Sequence, residues 1–281
     1  PVSGQPFFDK SIKAGIAGWT DAVSLHPYTW LVPERQTQLV DAIKYYKDEY
    51  IKNGCEDVEV WLTELGYTSA DAIASTEHLH GSMIVRQQLL YKSFNIIDYS
   101  AIHSFETEPG IIATDREDRF GMVEAAHDAH KLWGTTYFPR PAYLMTTAYN
   151  YIMADTTDGK MFELEYGESG NVGYTYKSGK FNKNVFAVVN KDNVKNSASF
   201  DLGVKTVDLY DEYGNMTTLT SDDGIYTIDV GEAPAYIIGD FDEVKSVESG
   251  RLTTDALLIK AATGSVFGIS VQAQDDEDYT L

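Results

Sequence analysis

The sequence predicts an α/β unit followed by an all-β unit, and three observations carry that prediction. Up to about residue 153 the chain alternates strand and helix signals, the pattern of parallel strands covered by helices. From about Lys160 it turns into short alternating runs separated by turn signals, the pattern of an antiparallel sandwich. With 281 residues, 43% of them hydrophobic and 12% aromatic, the chain can bury one large core or two ordinary ones.

Taken in order, "DAVSLHPYTW" opens with a short apolar strand at Asp21 to Leu25 that breaks at Pro27. A helix follows from about Glu34 to Asn53, with Leu39, Val40, Ile43, Tyr46, Tyr50 and Ile51 on one face and Asn53-Gly54 as its stop. In "VEVWLTELGYTS" Val58, Val60 and Leu62 alternate with Glu59, Trp61 and Thr63, which predicts a strand over 58–63, with Gly66 as its break. A helix from about Glu77 to Phe94 leads to a third strand at Tyr99 to Phe105. "FPRPAY" starts another helix with Pro141 in its first turn, and Tyr143, Leu144, Thr147, Tyr151 and Ile152 recur at helical spacing. Eight strand candidates then run from "KMFELEY" to "PAYIIGDF". Residues 242–281 read as a linker or the first strands of a further module, and the ending "DDEDYTL" as solvated charge.

Charge and composition exclude several classes. Forty-three acids against 22 Lys and Arg give a net charge of -21, which repels phosphate backbones, so no nucleic-acid partner is expected. The single Cys55 excludes an internal disulfide framework and reads as a small buried hydrophobe. No cysteine or histidine cluster has zinc-ligand spacing. Among His78, His80, His103, His127 and His130 only the last two stand at helical i, i+3 spacing, so no metal site and no cofactor are expected. No apolar run reaches the roughly 18 residues of a membrane span. The start at Pro1 without Met reads as a processed or truncated beginning, and the acidic charge and modular tail read as secretion or a cell surface, in a bacterium.

Glu64 falls at the carboxyl end of its strand, where parallel α/β folds do their chemistry; a solvated loop acid is the alternative. Three βα units do not close a barrel and would leave two open parallel edges. With His26, Glu64 and Phe105 at corresponding strand ends, residues 1–153 read as the last part of an eight-stranded TIM (β/α)8 barrel, which the resemblance below puts at about strands 6 to 8, and 154–241 as the β-sandwich.

The segments "FFDKSIKAGIAGWTDAVSLHPYTW", "VEVWLTELGYTS", "YSAIHSFETEPG" and "RFGMVEAAHDAHKLWGTTYFPRPAYLMTTAYNYI" resemble, in order and spacing, the last three barrel units of retaining glycoside hydrolases of clan A. That family's seventh strand typically reads Trp-x-Thr-Glu-Phe-Gly, matched here by Trp61, Thr63, Glu64, Leu65 and Gly66. The resemblance implies that Glu64 is the nucleophile of a double displacement at a glycosidic bond. It implies that His26 and Tyr28 line the sugar subsite, Tyr28 as a donor to the nucleophile, and that Phe105 is an aromatic platform. Trp30 joins Phe105 as a sugar-stacking candidate, because an aromatic face meets the C–H face of a pyranose well. Both rings also read as ordinary packing, and His26 before a proline as a turn histidine. The Phe120-Gly121 step and the "PRPAY" helix start fit the family's last unit, and the sandwich fits an accessory domain.

The departure from the family concerns the proton donor. The family's acid/base glutamate follows an asparagine, and no Asn-Glu dipeptide occurs here. Retaining hydrolysis needs two carboxyl groups about 5 to 5.5 Å apart. The second is therefore expected from an N-terminal half of the barrel, in the same gene or a separate chain, leaving this chain inactive alone. Glu106 beside the neighbouring strand end is the alternative, though strand alternation turns it away from the face of Phe105. Glu108, Asp115, Glu117 and Asp118 read as a solvated loop. The substrate expected is a carbohydrate; the alternative classes are a non-catalytic carbohydrate-binding chain and a structural module.

Overall fold

The computed structural model describes residues 5–107, 119–126, 136–164, 170–247, 270–272 and 278–280. The chain divides into two compact units, residues 1–247 and 248–281. The first is a mixed α/β assembly.

Three parallel strands lie in the order β1 (Ala22–Leu25), β2 (Glu59–Leu65), β3 (Tyr99–Ile102). Helix α1 (Gln5–Lys13) precedes them, α2 (Leu39–Lys52) connects β1 to β2, and α3 (Glu77–Ser93) connects β2 to β3. Val23 pairs with Val60 and Leu25 with Leu62, so the apolar residues line up across the sheet. They share a buried cluster with Ile43 and Tyr50 of α2 and with Val85, Leu89 and Leu90 of α3. Past β3, a short sheet of β4 (Glu106–Thr107), β5 (Val123–Ala126) and β6 (Thr136–Pro139) leads into α4 (Pro141–Met153).

The sequence expectation of alternating strands and helices with parallel pairing is met, with differences at the ends. Pro33–Arg35 forms a separate 3-10 turn, and α2 begins at Leu39 rather than near Glu34, because Glu34 is drawn into the interior by Arg86. The stop is as expected: Gly54 takes φ of +94°, a conformation costly for any residue with a Cβ. The third strand ends at Ile102, three residues short of Phe105. Cys55 is only partly buried, and its thiol donates to the carbonyl of Thr20. Helix α1 and strands β4 to β6 are too short or too polar to stand out in the sequence.

From β7 (Thr156–Glu163) the unit is antiparallel. A six-stranded sheet runs β12 (Met216–Thr220), β11 (Thr206–Tyr210), β14 (Ala235–Gly239), β9 (Lys183–Asn190), β8 (Asn171–Ser178), β7. A three-stranded sheet runs β13 (Ile225–Val230), β10 (Asn196–Asp201), β15 (Lys245–Val247). Val185, Ala187 and Val189 of β9 join the cluster under α3 and α4, whereas Phe186 and Val188 pack with Phe200, Tyr226 and Ile228 of the smaller sheet. A strand buried on both faces explains the uninterrupted apolar run "VFAVV".

Helix α3 is buried along most of its length because it lies against both α4 and the six-stranded sheet. Its first turn is capped by Thr76, whose hydroxyl accepts from the Leu79 amide at 3.0 Å. At its centre Arg86 pairs with Glu34 and also reaches Asn193, which fastens the α/β part to the all-β part. In the second unit β16 (Ser270–Gln272) pairs antiparallel with β17 (Asp278–Thr280). Among the described residues no helix is long and apolar enough to cross a membrane.

Candidate active site

The candidate site is built where β1 and β2 end side by side. Strand β1 delivers Ser24 and then breaks at His26-Pro27, where the Tyr28 amide donates to the His26 carbonyl at 2.9 Å and tightens the turn. The Pro27 carbonyl accepts from the Tyr91 hydroxyl of α3 at 3.2 Å, anchoring the segment to the buried helix. The Tyr28 ring meets Phe120 edge-on at 5.7 Å and His103 at 6.4 Å, arrangements that favour aromatic quadrupoles and fix the ring plane.

Strand β2 supplies Thr63 and Glu64 through an irregularity. Leu62 pairs with Ser100 and Leu65 with Ile102, so three steps on β2 face two on β3. The extra residue is a β-bulge, a device that re-aims side chains. Strict alternation over 58–63 would carry Glu64 to the core side with Leu62. Instead Leu62 and Leu65 are both fully buried, while Thr63 and Glu64 are both half-exposed. The strand also extends through Leu65, two residues beyond the predicted end, so Glu64 is its penultimate residue. Beyond it, a Cβ at Gly66 would stand 2.6 Å from the His103 carbonyl oxygen, so glycine permits β2 and the segment after β3 to close together.

The carboxylate of Glu64 accepts a 3.1 Å hydrogen bond from Tyr28 Oη on Oε2. His26 Nδ1 lies 3.6 Å from the same oxygen. On its other side the His26 ring meets Thr63 Oγ1 at 2.8 Å through Nε2, and Thr63 Oγ1 lies 2.6 Å from Ser24 Oγ. The His26 and Glu64 side chains are 46% and 43% exposed, open enough to meet a solute.

Of the residues predicted from sequence, Glu64, His26 and Tyr28 come together: Tyr28 is hydrogen-bonded to Glu64, and the His26 ring lies beside the same carboxylate oxygen. Trp30 follows Tyr28 and Phe105 immediately precedes β4; their rings are 58% and 53% exposed. Glu106 opens β4 and pairs in register with Val123 rather than continuing β3. Glu108, Asp115, Glu117, Asp118, His127 and His130 lie outside the described residues. Among the described residues no group of three His, Cys, Asp or Glu side chains is placed to hold a metal ion. Sequence reasoning assigned no role to Ser24, used Thr63 only as a position of the matched strand motif, and missed the aromatic support from His103 and Phe120. A usable signal was present for the bulge: Leu65 breaks the parity of Val60 and Leu62.

No family model and no curated protein matches the chain. Among solved structures, the fold is similar to that of a family 39 glycoside hydrolase from the gut symbiont Bacteroides cellulosilyticus WH2, with a TM-score of 0.65 and 16% identity over 84% of this chain and 47% of that one. A glucosidase from Croceicoccus marinus gives a TM-score of 0.47 at 10% identity, over 86% of this chain and 58% of that one. The chain spans about half the length of the family 39 structure. The likeness is one of fold: a mixed α/β chain whose sheets are similar to those of glycoside hydrolase domains.

Proposed function

We propose that this chain is the C-terminal part of a retaining glycosidase, the end of a (β/α)8 barrel with an accessory β-sandwich, which hydrolyses a carbohydrate by double displacement with Glu64 as the nucleophile. The observation that carries the proposal is the 3.1 Å hydrogen bond from Tyr28 to a half-exposed carboxylate at the carboxyl end of a parallel strand. Both Tyr28 Oη and His26 Nδ1 address Oε2, which leaves Oε1 as the oxygen to attack the anomeric carbon. Attack forms a covalent glycosyl ester on Glu64 while a second carboxylic acid protonates the departing oxygen; that group, now a base, then activates the water that cleaves the ester. The acid/base glutamate is assigned to a preceding segment that completes the barrel, and the exposed rings of Trp30 and Phe105 serve as sugar platforms.

The test uses the full-length protein. An activated 2-fluoro glycoside traps the ester, and peptide mapping is expected to find the label on Glu64. Glu64→Gln is expected to lower kcat by several orders of magnitude with the fold retained. A label on another carboxylate overturns the assignment. This chain alone is expected to show no turnover of aryl glycosides above a Glu64→Ala control; turnover above it would bring Glu106 forward as the acid.

A further inference from the structure

The contacts of Thr63 constrain a proton. Its hydroxyl carries one hydrogen and stands between Ser24 Oγ at 2.6 Å and His26 Nε2 at 2.8 Å. For a neutral imidazole these distances are met with the ring proton on Nδ1 or on Nε2, and the two placements are represented by the following arrangements. In one, Ser24 donates to Thr63, Thr63 donates to Nε2, and the ring proton sits on Nδ1. In the other, Nε2–H donates to Thr63, Thr63 donates to Ser24, and the bare lone pair of Nδ1 faces Glu64 Oε2 at 3.6 Å. The second sets two electron-rich atoms against each other, and the first sets an N–H dipole toward a carboxylate, so Coulomb's law favours the first.

We propose that Ser24 and Thr63 form a hydroxyl relay that fixes neutral His26 as its Nδ1–H tautomer with that N–H aimed at Glu64, which makes both of them positioning residues for this carboxylate. Ser24 and Thr63 come from adjacent strands held in register, Ser24 opposite Trp61 and Leu25 opposite Leu62, with Thr63 turned to the same face, and His26 follows directly after the first strand, so the relay is built onto the sheet. Its direction is reversible: when His26 takes up a second proton, Nε2–H donates to Thr63 and Thr63 turns its hydrogen to Ser24, without movement of heavy atoms. The consequence for catalysis, a carboxylate steadied on Oε2 from two sides, rests on the proposed function; the tautomer itself is a property of this chain.

The experiment is nitrogen-15 NMR of the His26 ring in the 281-residue chain, at a pH where the ring is neutral, with His26→Gln to identify the resonances. The expected result is a majority Nδ1–H tautomer, seen as a pyrrole-type Nδ1 and a pyridine-type Nε2. In Thr63→Val the ratio should return toward the Nε2–H preference of free imidazole, a change of roughly 2- to 12-fold for one neutral hydrogen bond. Thr63→Ser should restore it, and Ser24→Ala, on an exposed position that tolerates change, should shift it part of the way. An Nε2–H majority in the wild type, or a ratio untouched by Thr63→Val, overturns the relay; a ratio untouched by Ser24→Ala removes Ser24 from it. The 2-fluoro label fails or succeeds separately: a label away from Glu64 with the Nδ1–H tautomer intact defeats the glycosidase assignment and leaves the relay standing.

Discussion

Tyr28 Oη donates to Glu64 Oε2 at 3.1 Å, joining the turn after β1 to the penultimate residue of β2. The Tyr28 ring is held independently by Phe120 and His103, so removing the hydroxyl leaves the packing in place. Tyr28→Phe removes a charge-assisted hydrogen bond of about 1.5 to 3 kcal/mol. In the full-length protein kcat/KM is expected to fall roughly 10- to 150-fold, at about 1.4 kcal/mol per decade, with Tm unchanged. His26→Ala should likewise lower turnover rather than Tm. A lowered Tm with unchanged kcat/KM would return the "HPY" segment to a packing role.

A second prediction concerns the knot at the centre of the larger unit. Arg86 and Glu34 have fully buried side chains, Tyr174 donates to Glu34 Oε1 at 3.2 Å, and Arg86 Nη1 donates to Asn193 at 2.6 Å. Arg86→Met strands a buried carboxylate and is expected to cost about 3 to 5 kcal/mol in urea denaturation. Replacing both charges, Glu34→Leu with Arg86→Met, should cost less than the single change, because no uncompensated charge remains. A double variant weaker than the single one would show that the pair itself, rather than its rupture, governs stability.

The same pair shows what the sequence can and cannot convey. Parallel strands, covering helices and the end of α2 were legible because each leaves a local trace, a period or a stop residue. Glu34 was read as the start of α2 rather than as part of a separate 3-10 turn because its partner is Arg86, 52 positions away, and local pattern carries no record of such a contact. The site divides along the same line. Glu64 and His26 stood out by strand-end position, and Tyr28 and the role of Glu64 came from the family resemblance. The bulge that turns Thr63 and Glu64 to one face depends on how β3 pairs with β2, a tertiary fact. The contact between Ser24 and Thr63 leaves no trace in the sequence, because it is the sheet register that brings them within 2.6 Å.

His80 gives a pH prediction. It is buried in α3 with Nε2 at 2.8 Å from the Tyr67 carbonyl, so the neutral ring donates there. Burial, aided by the nearby Arg140 charge, lowers its pKa from 6.5 to about 4. The unfolded chain therefore binds a proton near pH 6.5 that the folded chain refuses until about pH 4. Stability from this group is intact above that window and declines as pH falls through it, by about 3 kcal/mol in all. Urea midpoints of wild type and His80→Gln, compared from near pH 7 to about pH 4, should converge as the pH drops. A constant difference would mean that His80 ionises within the folded protein.

The last prediction concerns the face of the parallel sheet opposite its helices. Ser24, Trp61 and Tyr99 stand in one register row across β1, β2 and β3, and the Trp61 and Tyr99 rings lie 5.8 Å apart. Their exposures are 40% and 53%, large for aromatic side chains on adjacent strands of a sheet whose other face is closed. The indole N–H of Trp61 is satisfied by Glu59 at 2.7 Å, so the remaining ring surface is apolar area in contact with solvent. If a preceding segment completes a barrel, this row is its interior, and water is excluded from it in the full-length protein. The 281-residue chain by itself is then expected to bind a hydrophobic dye or to self-associate, and Trp61→Ser with Tyr99→Ser should weaken either signal while leaving Tm nearly unchanged. Addition of the preceding segment as a separate polypeptide should quench the dye signal. A dye-silent, monodisperse monomer would show that the face needs no cover and would count against a barrel completed from outside this chain.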